Sequence, residues 1–330
     1  MSINTISPAF TRYFIVGGAG FIGSHFTDHL LADASIEIVT LYDNFSSGRE
    51  WHYEHHADDS RLRVVRDDVS NLHRLTETMQ GHHVVIHLAS NPDIARAITE
   101  PRIDFDQGTK LTNNVVEAMR VAGVRRLLYA SGSGVYGDIG SIEAVEDFGP
   151  MIPTSTYGAS KLAGEALISS YCHMFGLSAR VFRFGNVVGA RQTHGVGYDF
   201  VRRLHKDPTE LRILGDGRQS KSYIHISDVV NAVLRANVNE LSIFRAFNVA
   251  TGDYITVTEI ADLVVDILNI KPSPRYSYTG GNRGWKGDVP IVRLNTDRIR
   301  SLGWKNKWNC REALQKSIAC LLEDERIHHE

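Results

Sequence analysis

Short apolar runs alternate with longer amphipathic stretches through the first 185 residues of the chain. The short runs are rich in β-branched and aromatic residues, as strands are, whereas the longer stretches place apolar residues three and four positions apart, as helices do. The predicted strands are RYFIV (12–16), EIVTLY (37–42), LRVV (62–65), VVIHLA (84–89), RLLYAS (126–131) and ARVFRF (179–184). This alternation predicts a parallel sheet with helices on both faces.

A glycine-rich turn follows the first predicted strand. Gly18, Gly20 and Gly23 satisfy G-x-G-x-x-G, and Gly17, Gly20 and Gly23 satisfy the related G-x-x-G-x-x-G. Glycines let a pyrophosphate approach the backbone amides, and the helix N-terminus that follows favours the anion. Asp43 lies 20 residues beyond Gly23, at the end of the second strand, where an acid binds the ribose hydroxyls of a dinucleotide. Because a carboxylate repels a 2′-phosphate, we expect NAD as the cofactor.

Beyond residue 185 the pattern loosens into loops that contain Gly and Pro, broken by helices. The segment TVTEIADLVVDIL (256–268) opens with a Thr-x-x-Glu capping box, which predicts a helix start. We therefore expect an α/β fold with a Rossmann-type, doubly wound parallel sheet over 1–185, to which segments at about 222–250 return, and a smaller α/β substrate-binding lobe made mainly of 186–330.

Composition excludes several classes of function. The 330 residues are 42% apolar and carry a formal net charge of −2, with Lys and Arg spread along the chain, so no basic face for a nucleic-acid polymer is indicated. No run approaches 18 apolar residues, so no membrane-spanning helix is expected. The start MSINTISPAFTRY lacks the features of a signal peptide.

Cysteine and histidine usage point away from disulfides and metals. Three cysteines are too few for a disulfide framework, which favours a reducing, cytoplasmic compartment. His52, His55 and His56 lie close together in the sequence, without zinc-finger cysteines or an HExxH pattern. We expect a solvated loop there and no metal site.

A tyrosine and a lysine provide candidate chemistry. Tyr157 and Lys161, in STYGASKLAGEAL, are four residues apart on a predicted helix and so project from the same face. A phenol titrates near ~10, and a neighbouring ammonium lowers its pKa. The pair is therefore predicted to remove a proton from a sugar hydroxyl while hydride leaves the same carbon.

Taken together, VGGAGFIGSH, YDN, RDDV, HLAS, SGSGVYG, YGASK, RFGNVVG and SYIHISDV occur in the order and spacing of the extended short-chain dehydrogenase/reductases. The chain resembles the NAD-dependent nucleotide-sugar epimerase/dehydratase branch of that family over nearly its whole length. The resemblance is specific for fold and cofactor and much less specific for the sugar.

The resemblance implies a role for each matched residue. The cofactor set is Gly17, Gly20, Phe21, Ile22 and Gly23 at the pyrophosphate, Asp43 and Asn44 at the adenosine ribose, Asp68 and Val69 at the adenine, and Leu88, Ala89 and Ser90 along the middle of the cofactor. Tyr157 would be the acid/base, and Lys161 would hold the nicotinamide ribose. The substrate set is Asn186, Leu214 within RILGD (212–216), Lys221 in place of the usual arginine, and Asp288 at the nucleotide ribose.

The chain departs from the family pattern in three places. Gly132 stands where the family has a catalytic Ser or Thr, so Ser133 or, less favoured, Ser131 would supply the hydroxyl, unless both cap backbone groups. Trp285 replaces a phosphate-binding arginine, so Arg283 or Lys286 would take over. Uronate epimerases have an arginine at the position of Thr193. Arg191 or His194 could bind a substrate carboxylate instead, which leaves UDP-glucuronate open beside UDP-glucose.

These positions also favour one reaction. Dehydratases and decarboxylases of the family have a carboxylate where this chain has Ser133 and Gly134. We therefore expect an NAD-dependent 4-epimerase acting on a UDP-hexose, with a dehydratase, decarboxylase or reductase, or a non-catalytic NAD-binding regulator, as alternatives. The resemblance also implies a homodimer through the helix around 107–122 and the helix of Tyr157.

Overall fold

The computed structural model of the chain describes residues 10–323. Two segments lie outside the described residues. They are residues 1–9, which are part of the start that is predicted not to be a signal peptide, and residues 324–330, which end the predicted lobe. The strands are β1 (Arg12–Val16), β2 (Ile38–Asp43), β3 (Leu62–Arg66), β4 (Val84–His87), β5 (Arg126–Gly132), β6 (Glu143–Ala144), β7 (Ser178–Phe184), β8 (Asn186–Val188), β9 (Glu210–Ile213), β10 (Ser220–Lys221), β11 (Tyr223–His225), β12 (Phe244–Val249), β13 (Ile255–Thr256), β14 (Arg275–Tyr278) and β15 (Arg293–Leu294). The helices are α1 (Phe21–Leu31), α2 (Leu72–Met79), α3 (Lys110–Ala122), α4 (Thr156–Phe175), α5 (Val196–Lys206), α6 (Ile226–Asn239), α7 (Val257–Leu268), α8 (Asp297–Ser301) and α9 (Cys310–Glu323).

Seven strands form one parallel sheet in the order β12-β7-β5-β4-β1-β2-β3. All six strands predicted from the sequence are in it, with bounds shifted by two residues at most. The chain adds β12 at one edge, beside β7, from residues that lie after the first part of the lobe.

Both faces of this sheet are covered, as the continuous apolar runs of its strands predict. Along β1, Tyr13 and Ile15 belong to one buried cluster and Phe14 and Val16 to the other, because successive side chains of a strand point to opposite faces. Helices α1 and α6 contribute to the first cluster, and α2, α3 and α4 to the second. The doubly wound α/β prediction is confirmed.

A third buried cluster forms the core of the smaller lobe. It joins the apolar faces of α5, α7 and α9 to β9 and includes Phe200, Leu211, Ile260 and Leu314. The predicted capping box is present at the start of α7, where the Thr256 hydroxyl accepts from the Glu259 amide at 3.2 Å and the Glu259 carboxylate accepts from the Thr256 amide at 2.8 Å. Among the helices of residues 10–323, none has the length and apolar character needed to cross a bilayer.

The order of the sheet determines where a ligand binds. From β1 the chain builds outwards through β2 and β3 on one side and then through β4, β5 and β7 on the other. In open parallel sheets the crevice beyond the carboxyl ends of the strands at such a switch point is the usual binding site. The glycine loop that follows β1 therefore lies at that crevice.

Candidate active site

A cavity of about 880 Å³ extends from the glycine loop to the lobe. Its walls contain every residue predicted to bind the cofactor: Gly17, Gly20, Phe21, Ile22, Gly23, Asp43, Asn44, Asp68, Val69, Leu88, Ala89, Ser90, Tyr157 and Lys161. They also contain several predicted for the substrate: Asn186, His194, Leu214, Lys221 and Asp288. One cavity therefore brings both groups together.

The glycine loop has a shape that side chains would fill. Gly17 has a φ of +78°, and a Cβ there would lie 2.8 Å from the Ala89 amide nitrogen. A Cβ on Gly23 would lie 2.7 Å from the Gly17 carbonyl oxygen. Gly20 is the N-cap of α1, so the first amides of that helix follow directly. The loop fits a dinucleotide pyrophosphate, because Gly17, Gly20 and Gly23 line the cavity without side chains at the start of α1, where a helix N-terminus favours an anion.

Asp43 is buried at the end of β2 with both carboxylate oxygens engaged. Its Oδ2 accepts from the Ala19 amide at 3.0 Å and its Oδ1 from the Phe45 amide at 2.8 Å. Burial raises the pKa of this carboxyl, and the two amides act in the opposite direction. Each carboxylate oxygen can accept more than one hydrogen bond, so Asp43 fits the paired hydroxyls of an adenosine ribose.

Tyr157 and Lys161 lie on the first turns of α4, at the other end of the cofactor part of the cavity. The Ser155 hydroxyl caps this helix by accepting from the Gly158 amide at 3.1 Å. Lys161 Nζ lies 5.5 Å from the centroid of the Tyr157 ring and donates to the Ala130 carbonyl at 2.8 Å. The lysine is thereby anchored to β5 and directed along the same wall as the tyrosine.

Burial dominates the ionisation of both groups. It raises the pKa of Tyr157, a hydrogen bond with Ser90 lowers it, and the nearby Asp104 carboxylate raises it further. Burial lowers the pKa of Lys161 to about 8, against the effect of Glu165 and Asp104. Desolvation of the phenolate therefore keeps the pKa of Tyr157 raised in the chain alone, and the expectation that the Lys161 ammonium lowers this pKa stays a prediction.

The two candidate serines differ in their partners. Ser131 is buried, and its hydroxyl donates to Glu165 Oε1 at 2.6 Å. The same carboxylate pairs with Arg183, whose side chain is also buried, at 2.6 Å. Ser133 lines the cavity one residue beyond β5. Between them, Gly132 has an ordinary extended backbone, and a Cβ there would meet no atom within 4 Å.

In the substrate half, Lys221 and Asp288 form an ion pair within the cavity wall. Lys221 Nζ lies 2.6 Å from Asp288 Oδ1, and the Gly284 amide donates to Asp288 Oδ2 at 3.0 Å. The Asn186 amide nitrogen Nδ2 donates to the Ser222 carbonyl at 3.3 Å. Trp285 also lines this region.

Two predicted arginines lie elsewhere. Neither Arg191 nor Arg283 lines the cavity. The Arg191 guanidinium pairs with Asp28 of α1 and donates to the His52 carbonyl at 2.6 Å. Arg283 donates to Asp138 Oδ2 at 2.5 Å and to the Asp288 carbonyl. Each guanidinium is occupied by protein partners, so a contact of either arginine with substrate would require these bonds to break and stays a prediction.

Sequence reasoning missed three groups of the site. Asp199 and Arg203, four residues apart on α5, line the cavity. Asp104 is buried near Tyr157 and accepts from the Asn91 side chain at 2.8 Å and the Thr156 hydroxyl at 2.6 Å. The spacing of Asp199 and Arg203 on an amphipathic helix offered a weak signal, whereas nothing near Asp104 in the sequence marks it.

Comparison with known proteins agrees with this geometry. The NAD dependent epimerase/dehydratase family matches residues 13–250. The chain belongs to this family, and its cofactor is therefore NAD. A UDP-glucose 4-epimerase of Mycolicibacterium smegmatis is 30% identical, with 93% of this chain and 97% of that protein covered.

Solved structures extend the likeness over the whole described fold. A crystal structure of a UDP-galactose 4-epimerase has a TM-score of 0.84 and 34% identity, covering 94% of this chain and 99% of its own. A dTDP-glucose 4,6-dehydratase from Streptomyces venezuelae, with NAD bound, has a TM-score of 0.88 and 25% identity, covering 96% of this chain and 98% of its own. Epimerases and dehydratases thus share the fold, and the site must distinguish between them.

Proposed function

We propose that the protein is an NAD-dependent 4-epimerase of a neutral UDP-hexose, interconverting UDP-glucose and UDP-galactose. The observation that carries the proposal is the single cavity in which Tyr157 and Lys161 lie between the glycine loop and the lobe. The relatives named as UDP-glucose and UDP-galactose 4-epimerases support the choice of reaction.

Tyr157 removes the proton of the sugar 4-hydroxyl and later returns a proton to the ketone oxygen. NAD, when bound beside Tyr157 and Lys161, would supply the hydride acceptor and donor and, in its oxidised form, a positive charge that favours a phenolate. Lys161 holds a second positive charge on the same wall, and Ser133 donates a hydrogen bond to the sugar oxygen. Net redox change is zero, because the hydride and the proton both return.

The wall around the reacting carbon favours epimerisation over elimination. Residues 131–134 are Ser, Gly, Ser and Gly, and the nearby Glu165 carboxylate is held by Ser131 and Arg183. Elimination of water needs an additional acid or base at this position, which these residues do not supply. The glycines leave room for the keto sugar to turn its other face while the nucleotide stays bound.

Charge in the same region favours a neutral hexose over a uronate. Asp199 faces the cavity, and of the two candidate carboxylate binders Arg191 is paired with Asp28. His194 lines the cavity, but burial lowers its pKa and so favours the neutral ring. Arg203 also lines the cavity, but its guanidinium donates to the Arg212 carbonyl at 2.7 Å. A substrate carboxylate would meet a like charge from Asp199, which is costly in a desolvated site.

The test incubates the purified protein with UDP-galactose and, separately, UDP-glucuronate, and follows the C4 epimer by NMR. We expect conversion of UDP-galactose, little of UDP-glucuronate, and loss of activity in Tyr157→Phe. Tyr171→Phe, on the same helix with its hydroxyl on Glu117 at 3.1 Å, is the matched control and should remain active. A stable 4-keto sugar would instead indicate a dehydratase, and no conversion of any UDP-hexose would end the proposal.

We also propose a homodimer in a reducing, cytoplasmic compartment. Phe105, Val121 and Met174, beside or within α3 and α4, are each more than half exposed, at 55%, 56% and 71%. Pairing these helices with a second copy would cover them. The three cysteines are free thiols, consistent with such a compartment. Analytical ultracentrifugation tests the dimer, since a monomer at micromolar concentration would contradict it.

A further inference from the structure

A second cluster of chemistry-bearing side chains lies outside the nucleotide cavity. Asp28 projects from α1, and His55 and His56 come from the short helical turn Glu54–His56 between β2 and β3. The Nε2 atoms of the two histidines lie 2.8 and 2.9 Å from the same oxygen, Asp28 Oδ1. None of the three residues lines the cavity.

The three atoms have the spacing of metal ligands. They all lie within 4.8 Å of one another. Nitrogen and oxygen ligands bind Zn²⁺ at about 2.0–2.2 Å, which places neighbouring ligand atoms roughly 3.0–3.5 Å apart, so the three atoms need only a small outward movement to bind an ion. Two imidazoles and a carboxylate are a donor set suited to Zn²⁺, Co²⁺ or Ni²⁺. Both rings are partly exposed, so moving each ring proton from Nε2 to Nδ1 frees the ligand atoms without burying a charge.

Arg191 occupies the other side of the carboxylate. Its NH2 donates to Asp28 Oδ2, and it is held further by the His52 carbonyl and by His25 Nδ1 at 3.1 Å. Asp28 Oδ1 accepts a long hydrogen bond from Arg191 NH1 at 3.4 Å, but its shorter contacts are with the two histidines, so it is the oxygen that an ion would share with them. A hydrogen-bonded second oxygen orients a ligating carboxylate. The guanidinium also repels a cation, so its presence lowers the affinity without blocking the position.

We propose that Asp28, His55 and His56 form a binding site for one divalent transition-metal ion of the Zn²⁺ type, with water completing its coordination. The ion fastens the segment around residues 50–56 to α1, the helix that begins at the glycine loop. This inference does not depend on the proposed epimerase reaction, because the site is separate from the cavity.

The test uses the full chain without a histidine tag. Zn²⁺ binding is measured by calorimetry, and Co²⁺ absorption reports the ligand type. We expect one site with nitrogen and oxygen ligands in the wild type, and an affinity at least about tenfold weaker, or ~1.4 kcal/mol, in the His55→Ala/His56→Ala double variant. The matched control is His73→Ala/His173→Ala, which removes two exposed histidines from other helices.

Circular dichroism and thermal melts check that both double variants are folded. Equal Zn²⁺ affinity in the two double variants, or a Co²⁺ spectrum with thiolate character, would overturn the proposal. In either case the cluster would be a hydrogen-bonded contact between α1 and the segment around residues 50–56 and nothing more.

Discussion

Asp104 affects the ionisation of Tyr157 and Lys161, the proposed catalytic pair, although it is distant from both in sequence. Its buried carboxylate accepts from Asn91 and from Thr156, the residue before Tyr157. A buried negative charge disfavours the phenolate and favours the ammonium, and Asp104 accordingly raises the pKa of Tyr157 and of Lys161. The residue therefore affects the pH range in which the pair can work.

Neutralising this carboxylate should move the pH optimum. In Asp104→Asn the pKa of Tyr157 falls, so the phenolate forms at lower pH and the acidic limb of kcat/KM moves down. The pKa of Lys161, already lowered to about 8, falls further, so the basic limb moves down as well. The measurement is kcat/KM for epimerisation against pH. Asp58→Asn, an exposed carboxyl elsewhere, should leave the curve in place, and an unmoved curve in Asp104→Asn would contradict the argument.

The serine hydroxyl proposed to donate to the sugar beside its reacting carbon is the second feature that depends on a single residue. Ser131 and Ser133 both line the cavity, but the Ser131 hydroxyl already donates to Glu165, so Ser133 is the serine that we propose to donate to the sugar. Ser133→Ala should lower kcat about 10- to 100-fold, the effect of losing one hydrogen bond to a developing charge. Adding Gly132→Ser to that variant should restore part of the loss, because a side chain at Gly132 meets open space. Steady-state kinetics of the wild type, of Ser133→Ala and of the double variant test this prediction. A fully active Ser133→Ala would exclude a hydrogen bond from Ser133 to the sugar as a contribution to kcat.

Single residues also show which features of the site could be predicted from the sequence and which could not. The positions of the glycines and of Asp43 could be predicted, because they depend on neighbours within one strand–turn–helix–strand unit that runs from β1 to the end of β2. The partners of Arg191 and Arg283 could not be predicted. The charge of each arginine is visible in the sequence, but the carboxylates that bind them, Asp28 and Asp138, are more than 140 residues away. A guanidinium binds the nearest acceptor the fold provides, and only the fold identifies it.

Among the secondary-structure elements, helix α7 shows how much a motif that is visible in the sequence stabilises a helix start. Its capping box satisfies the amides of Thr256 and Glu259, which would otherwise lack partners at the helix start. Thr256→Ala should lower the free energy of unfolding by about 1 kcal/mol, whereas Thr256→Ser keeps the hydroxyl and should cost less. Urea unfolding compares the three proteins. Equal losses in both variants would mean that the methyl group, rather than the cap, stabilises this end.

Other elements were harder to predict for a physical reason. The strands of the main sheet could be found because they are buried on both faces and therefore read as apolar runs. Outside the main sheet the chain instead contains two-residue strands paired over long distances, such as β6 with β15 and β10 with β13. Pairs this short have no periodicity, so their position depends on the tertiary packing around them, which for β6 and β15 is the buried cluster of Val135, Tyr136, Ala144, Ala250 and Leu294.

At the scale of the whole molecule, the cavity joins the sheet to the lobe. The glycine loop and Tyr157 belong to elements around the sheet, whereas Lys221, Asp288 and Trp285 approach from the lobe side. A ligand that contacts both parts binds only the folded chain. Its binding free energy therefore adds to the stability of both parts together.

NAD should accordingly stabilise the folded chain, by about 2.7 kcal/mol at a hundredfold excess over its Kd, and NADP should do so much less. The discrimination rests on Asp43, whose buried carboxylate repels a 2′-phosphate. Asp43→Asn removes that charge while keeping the size of the side chain. We expect its thermal shift with NAD to shrink and its shift with NADP to grow, measured by differential scanning fluorimetry against the ligand-free form of each variant. Asp43 also accepts from the Ala19 and Phe45 amides, so the ligand-free variant will itself melt at a lower temperature. The difference in Tm with and without ligand, rather than the absolute Tm, therefore separates recognition of the ribose from support of the loop. If NAD and NADP shift the wild type equally, Asp43 does not discriminate between them, and the choice of cofactor must come from residues further along the cavity.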